Sequence, residues 1–70
     1  MQVNISTREL RAFVLLTEQR NFTRAASLCN LSQSAFSALI QGLEEHVGGR
    51  LFDRTTRQVE LTVEGEAFLL

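Results

Sequence analysis

From Ala25 to Leu43 the chain carries no Lys, Arg, Asp, Glu or His, in a protein of only seventy residues. A stretch of this kind is buried, spans a bilayer, or offers a polar surface that works without charge. It is long enough for a bilayer, but its Ser, Gln and Asn content argues against one. Seventy residues make one domain, close to the lower limit for folding unaided. With 44% hydrophobic and 21% charged residues, the composition is that of a globular chain. The uncharged run must then serve both the core and a surface.

There is no proline, so element ends depend on polar caps. Ser6-Thr7-Arg8-Glu9 has capping-box spacing, in which Ser and Glu side chains satisfy free backbone N–H groups. Leu10, Phe13, Val14 and Thr17 follow at helical spacing and predict a first helix over about 7–19. Leu15 and Leu16 widen its apolar face. Thr23 is a good N-cap for a short second helix from Arg24 to about Cys29, where Ala25 and Ala26 permit close approach. Ser32 caps a third helix running to about Val47, and Gly48-Gly49 ends it. Leu51–Arg54 and Gln58–Leu61 show two-residue alternation, which predicts a hairpin with Thr55, Thr56 and Arg57 as its loop. Thr62 caps a fourth helix without a stop signal, so the chain reads as part of a longer protein. The order of elements is that of a mainly α, winged helix-turn-helix fold: a three-helix core, a β-hairpin wing and the start of a linker helix.

On the third helix Phe36, Ile40, Leu43 and Val47 form the core stripe, flanked by Leu39. Ser34, Ser37, Ala38 and Gln41 gather opposite. A solvated face is usually dressed in Lys and Glu, so this strip of small polar residues suits close approach to a major groove. Gln can pair with adenine, Ser bonds any base edge, and Ala meets a thymine methyl. A merely soluble face is the competing reading of the same residues.

Net charge is −1, yet residues 20 to 57 hold five Arg against Glu44, Glu45 and Asp53. Arg50, Arg54 and Arg57, beside Thr55 and Thr56, give the wing an Arg-rich tip suited to phosphate or the minor groove. Residues 58 to 70 hold only Glu60, Glu64 and Glu66, which suits a helix kept away from DNA.

These residues resemble the N-terminal DNA-binding domain of the LysR-type transcriptional regulators. The likeness runs through Leu10, Phe13-Val14, Asn21-Phe22-Thr23-Arg24-Ala25-Ala26 and Leu28, then Leu31-Ser32-Gln33-Ser34-Ala35-Phe36-Ser37 and Ile40. It continues over Leu43-Glu44-Glu45, Gly48, Leu51-Phe52, Arg54, Arg57, Leu61-Thr62 and Gly65. The resemblance implies a bacterial cytoplasmic regulator that binds double-stranded DNA at A·T-rich dyad sites as a homodimer or tetramer. Residues 1–61 would be the winged domain, with a recognition helix at about 33–47 and a wing at about 50–61. Residues 62–70 would open a linker helix that pairs with a second subunit through Val63, Ala67 and Leu70. A further domain, outside this chain, would bind a small-molecule effector; no cofactor is expected in this one. By position, Gln33, Ser34, Ser37, Ala38 and Gln41 would face bases. Thr23, Arg24, Ser32, Arg50, Arg54, Thr55 and Arg57 would hold the backbone and minor groove. Ala38, Leu39 and Gln41 stand where relatives often carry Arg or Gln, so long phosphate- and guanine-reaching side chains are missing.

Catalysis and metal binding find no support. Cys29 and His46 match no common zinc spacing, and the lone cysteine forms no internal disulfide and suits a reducing compartment. Glu44 and Glu45 are adjacent on a helix and point apart. His46 suits the helix C-terminus when protonated. The competing function is a winged helix used only as a protein-interaction adaptor, favoured by Leu15, Leu16 and Leu39.

Overall fold

The computed structural model describes residues 5–54 and 59–69. In chain order these form α1 (Thr7–Gln19), α2 (Phe22–Leu28), α3 (Gln33–Val47), β1 (Phe52–Asp53), β2 (Glu60–Leu61) and α4 (Val63–Leu69). This is the winged helix-turn-helix order, with three helices packed on one another and a small antiparallel hairpin beside them. The strands pair Phe52 with Leu61 and Asp53 with Glu60. They are shorter than the alternation predicted, leaving Leu51, Arg54 and Val59 as flanking coil. The predicted loop at Thr55, Thr56 and Arg57, and Leu70 in the linker helix, lie outside the described residues.

Polar caps set the helix ends. The Ser6 hydroxyl accepts from the Glu9 N–H at 3.1 Å, and the Glu9 carboxylate accepts from the Ser6 N–H at 3.0 Å. Ser32 accepts from the Ala35 N–H at 3.1 Å to open α3, and Gly48 closes it at φ 80°, a left-handed conformation that glycine takes without strain. The predicted start of α2 needs correction. Asn21, not Thr23, is the N-cap, accepting from the Arg24 N–H at 2.9 Å, so the helix begins at Phe22. Asn is as strong a cap as Ser or Asp and stronger than Thr, and this leaves the Thr23 hydroxyl free for other work.

The α1 stripe is also rotated from the one predicted. Glu9, Ala12, Phe13 and Leu16 are buried, whereas Leu10 and Val14 are 41% and 44% exposed. Apolar residues nearly encircle this helix, so periodicity could not choose a face. The face chosen puts Phe13 at the centre of the fold. Its ring packs 5.4 Å from Phe52 of the hairpin and 5.1 Å, edge-on, from Phe68 of α4. A second edge-on pair, Phe22 with Phe36 at 5.9 Å, ties α2 to α3. Such pairs are worth about 0.5–1.5 kcal/mol beyond area burial.

Two buried carboxylates complete the frame. Glu44 accepts from the backbone N–H of Leu51 at 2.9 Å and of Phe52 at 3.3 Å, and from the Arg54 guanidinium at 3.1 Å. Arg54 in turn lies 5.3 Å over the Phe22 ring. Glu9, besides capping α1, sits 3.3 Å from the His46 imidazole, so the end of α3 is tied to the start of α1.

Removing the Glu44 carboxylate leaves two buried N–H donors and an arginine without their acceptor. Glu44→Ala should cost about 2–4 kcal/mol in urea denaturation, against about 0.5 kcal/mol or less for Glu45→Ala on the exposed side. Equal losses would mean that the carboxylate does not hold the hairpin. A second comparison concerns Gly65, where an added Cβ would strike the Leu51 carbonyl and lie 2.8 Å from Leu61 Cδ2. Gly65→Ala should cost about 1–3 kcal/mol, whereas Gly49→Ala, with only Glu64 Cγ at 4.0 Å, should be nearly neutral.

Candidate nucleic-acid interface

The core stripe of α3 turns Phe36, Ile40 and Leu43 fully inward, with Val47 half-buried. The opposite side is left to Gln33, Ser34, Ala38 and Gln41, all exposed, and to Ser37, half-buried. Those five residues line one open concavity of ≈ 470 Å³. At about 1.5 Å rise per residue the strip runs some 12 Å along the helix, enough to cross several base pairs. All five predicted base-facing residues therefore share one surface.

Gln41 also belongs to a second concavity of ≈ 430 Å³, walled by Glu44, Glu45, Gly48, Gly49, Arg50 and Arg54. The strip thus continues into the base of the hairpin. The Glu44 latch accounts for this continuity. Glu44 follows Ser37 by seven residues and Gln41 by three, so it lies on the same side of the helix. By gripping Leu51 and Phe52 it brings Arg50 and Arg54 beside the end of the strip. Sequence reasoning missed this residue, although its place one turn after Ile40, at the border of the core stripe, was a usable signal.

The other predicted contacts differ in how far they are committed elsewhere. Arg24 and Arg50 are exposed. Ser32 is exposed too, its oxygen capping α3 and lying 3.4 Å from the Ser34 hydroxyl. Arg54 divides its guanidinium between Glu44 and Phe22, with its side chain 32% exposed. Thr23 is exposed, and its hydroxyl donates to the Gln33 side-chain carbonyl at 3.1 Å. Thr55 and Arg57 lie outside the described residues.

Away from this face, Val63 is 82% exposed and Ala67 is exposed on α4, while Phe68 packs inward. Leu69 on α4, and Leu10 and Val14 on α1, are further exposed apolar residues that the sequence reading does not single out for this role. Leu16 is fully buried, and Leu15 and Leu39 pack against the core. Among the described residues no group of three His, Cys, Asp or Glu could hold a metal ion, and no helix is long and apolar enough to cross a membrane.

Comparison with known proteins bears on the same surface. Residues 7–66 match the model of the bacterial regulatory helix-turn-helix proteins of the lysR family. The HTH-type transcriptional regulator BudR of Klebsiella aerogenes is 54% identical over 61 residues, covering 87% of this chain and 43% of BudR. Vibrio fischeri DarR, solved in complex with DNA, superposes with TM-score 0.91 at 42% identity, over 93% of this chain and 22% of DarR. The BenM DNA-binding domain, solved on its catB site 1 DNA, gives TM-score 0.82 at 40% identity, over 97% of this chain and 71% of that one. The chain spans 23%, 22% and 43% of the length of three curated relatives it matches. With a family match over most of its length and a shared winged helix, the chain belongs to the LysR family of bacterial helix-turn-helix transcriptional regulators.

Proposed function

We propose that this domain binds double-stranded DNA sequence-specifically, with α3 in the major groove and the hairpin on the phosphate backbone or in the minor groove. The observation that carries this reading is the strip of Gln33, Ser34, Ser37, Ala38 and Gln41, uncharged, accessible and continuous with Arg50 and Arg54. Small side chains let the helix lie deep enough for its few hydrogen-bonding groups to reach base edges. Arg24, Arg50 and Arg54, with Ser32 at the helix start, supply the charge and N–H groups for phosphates. DarR and BenM, whose structures hold DNA, support the assignment by likeness. The adaptor reading is weakened, because Leu16 is fully buried and Leu15 and Leu39 are half-buried against the core.

On the same reading the regulator acts in the cytoplasm as a homodimer or tetramer on A·T-rich dyad sites. Val63 and Ala67 of α4, together with Leu70, would meet a second subunit, and a small-molecule effector would bind a domain beyond this one.

Selection of bound duplexes from a random pool tests the proposal. Enrichment of a defined sequence, with affinity falling steeply as salt rises, is expected; no duplex binding at any salt would refute it. Two variants separate grip from readout. Arg50→Ala should weaken specific and random duplexes alike and lower the salt slope by about one. Gln33→Ala should instead erode discrimination at one or two positions, by about 1–3 kcal/mol for each bidentate pairing with a base that it removes.

A further inference from the structure

Thr23 and Gln33 are joined across the turn between α2 and α3 by one hydrogen bond, 3.1 Å long, on an exposed surface. Neither helix needs it for its ends, since Asn21 caps α2 and Ser32 caps α3. Its consequence falls on the amide. A glutamine amide has a donor end and an acceptor end, and its terminal torsion is broad and nearly two-fold, so an untethered Gln offers either end to a groove. The Thr23 hydroxyl, by donating to Oε1, removes that ambiguity. The carbonyl is engaged by α2, which leaves the NH2 group as the other end of an exposed side chain.

Resting on the reading that α3 lies in the major groove, we propose that Thr23 is a positioning residue for base readout. It holds Gln33 with its NH2 outward, so that the base met there is one presenting an acceptor edge, guanine or thymine. Adenine needs the amide to accept from N6 and donate to N7 together. With the carbonyl engaged by Thr23, the accepting half of that pair is weakened. The same bond changes the role of Thr23 itself. A hydroxyl has a single proton, and while it is given to Gln33 none is left for a phosphate.

The test compares the wild type with Thr23→Val, Thr23→Ser, Gln33→Ala and the Thr23→Val/Gln33→Ala double variant. Each is given the same random duplex pool, and the enriched sites are then competed against single-base changes at fixed salt. In the wild type, guanine or thymine should be enriched at the position whose preference Gln33→Ala abolishes. Thr23→Val should let adenine gain there by about five-fold or more, the low end of one bidentate pairing. Its affinity for random duplex and its salt slope should be unchanged. Thr23→Ser should behave as wild type, and Thr23→Val should add nothing once Gln33 is Ala, because Thr23 acts through Gln33.

Wild-type preference retained in Thr23→Val would overturn the role of Thr23 and leave Gln33 as a reader. Equal weakening on specific and random duplexes, with the salt slope unchanged because threonine carries no charge, would make Thr23 a phosphate contact instead. Adenine at the Gln33-dependent position in the wild type would also overturn the proposal. Unchanged preference in Gln33→Ala would remove Gln33 from readout, and the role of Thr23 would go with it.

Discussion

The arrangement of this domain depends on one carboxylate. Glu44 sits near the end of α3, on the border between the core stripe and the exposed strip, and its two oxygens take three donors. Two are backbone N–H groups of the chain entering the hairpin, and the third is Arg54. Burying an acidic side chain is costly unless its hydrogen bonds are replaced, and here the replacements all come from the wing. The cost of burial therefore enforces a geometry: the carboxylate is satisfied only when Leu51 and Phe52 lie against α3. Phe52 is then in place to meet Phe13, and Phe13 to meet Phe68. One polar contact sets the position of the hairpin and, through it, of α4.

That dependence explains why so small a core suffices. The three helices approach closely through Ala12, Ala25 and Ala26, all buried, so a few large side chains fill the space between them. The buried polar groups do the orienting. Glu9 works in the same way near the start of α1, closing its own helix and meeting His46 at 3.3 Å. An added Cβ at Gly42 would lie only 2.9 Å from Glu9 Oε2, so the small residue on α3 makes room for that carboxylate. α3 is thus gripped by acid contacts, while its uncharged face is kept clear.

Much of this is legible in the sequence, and the misses share a cause. Ser6, Ser32, Gly48 and Thr62 mark element ends by local chemistry, and all four work where the pattern places them. Phe36, Ile40 and Leu43 form the inward stripe because only one face of α3 is apolar. The buried face of α1 is not legible in the same way, because most of its faces are apolar; what chooses between them is the position of Phe52 and Phe68, which lie far along the chain. Asn21 and Thr23 both qualify as caps, and no local rule separates them strongly. Glu44 and Arg54 look like surface residues when counted as charges. The burial of Glu44, and its pairing with an Arg54 that stays partly exposed, are long-range facts, decided by a hairpin that has to be held somewhere. The shared surface of Ser34, Ser37, Ala38 and Gln41 follows from helix geometry alone, which is why the sequence reveals it, whereas Gln33 joins them through the family resemblance. What each of them touches does not follow from that geometry.

A net charge of −1 is an odd endowment for a domain proposed to hold a polyanion, and the placement of charge resolves it. Glu44 is neutralised within the fold by Arg54 and two N–H groups, so it adds little repulsion at the surface it helps to build. Glu64 and Glu66 lie in the first turn of α4, where the helix dipole favours them. Arg24 and Arg50 stand exposed, the first next in sequence to the Thr23 that bonds Gln33, the second in the concavity that continues past Gln41. On the proposed reading, grip comes from these margins and from the helix start, while the strip contributes contacts that are short and few. An interface built this way gains little from a wrong sequence beyond its phosphate contacts. Its selectivity then depends on how firmly each short group is held, and a tether such as the Thr23 hydroxyl matters more here than it would on a helix with long, adaptable arginines.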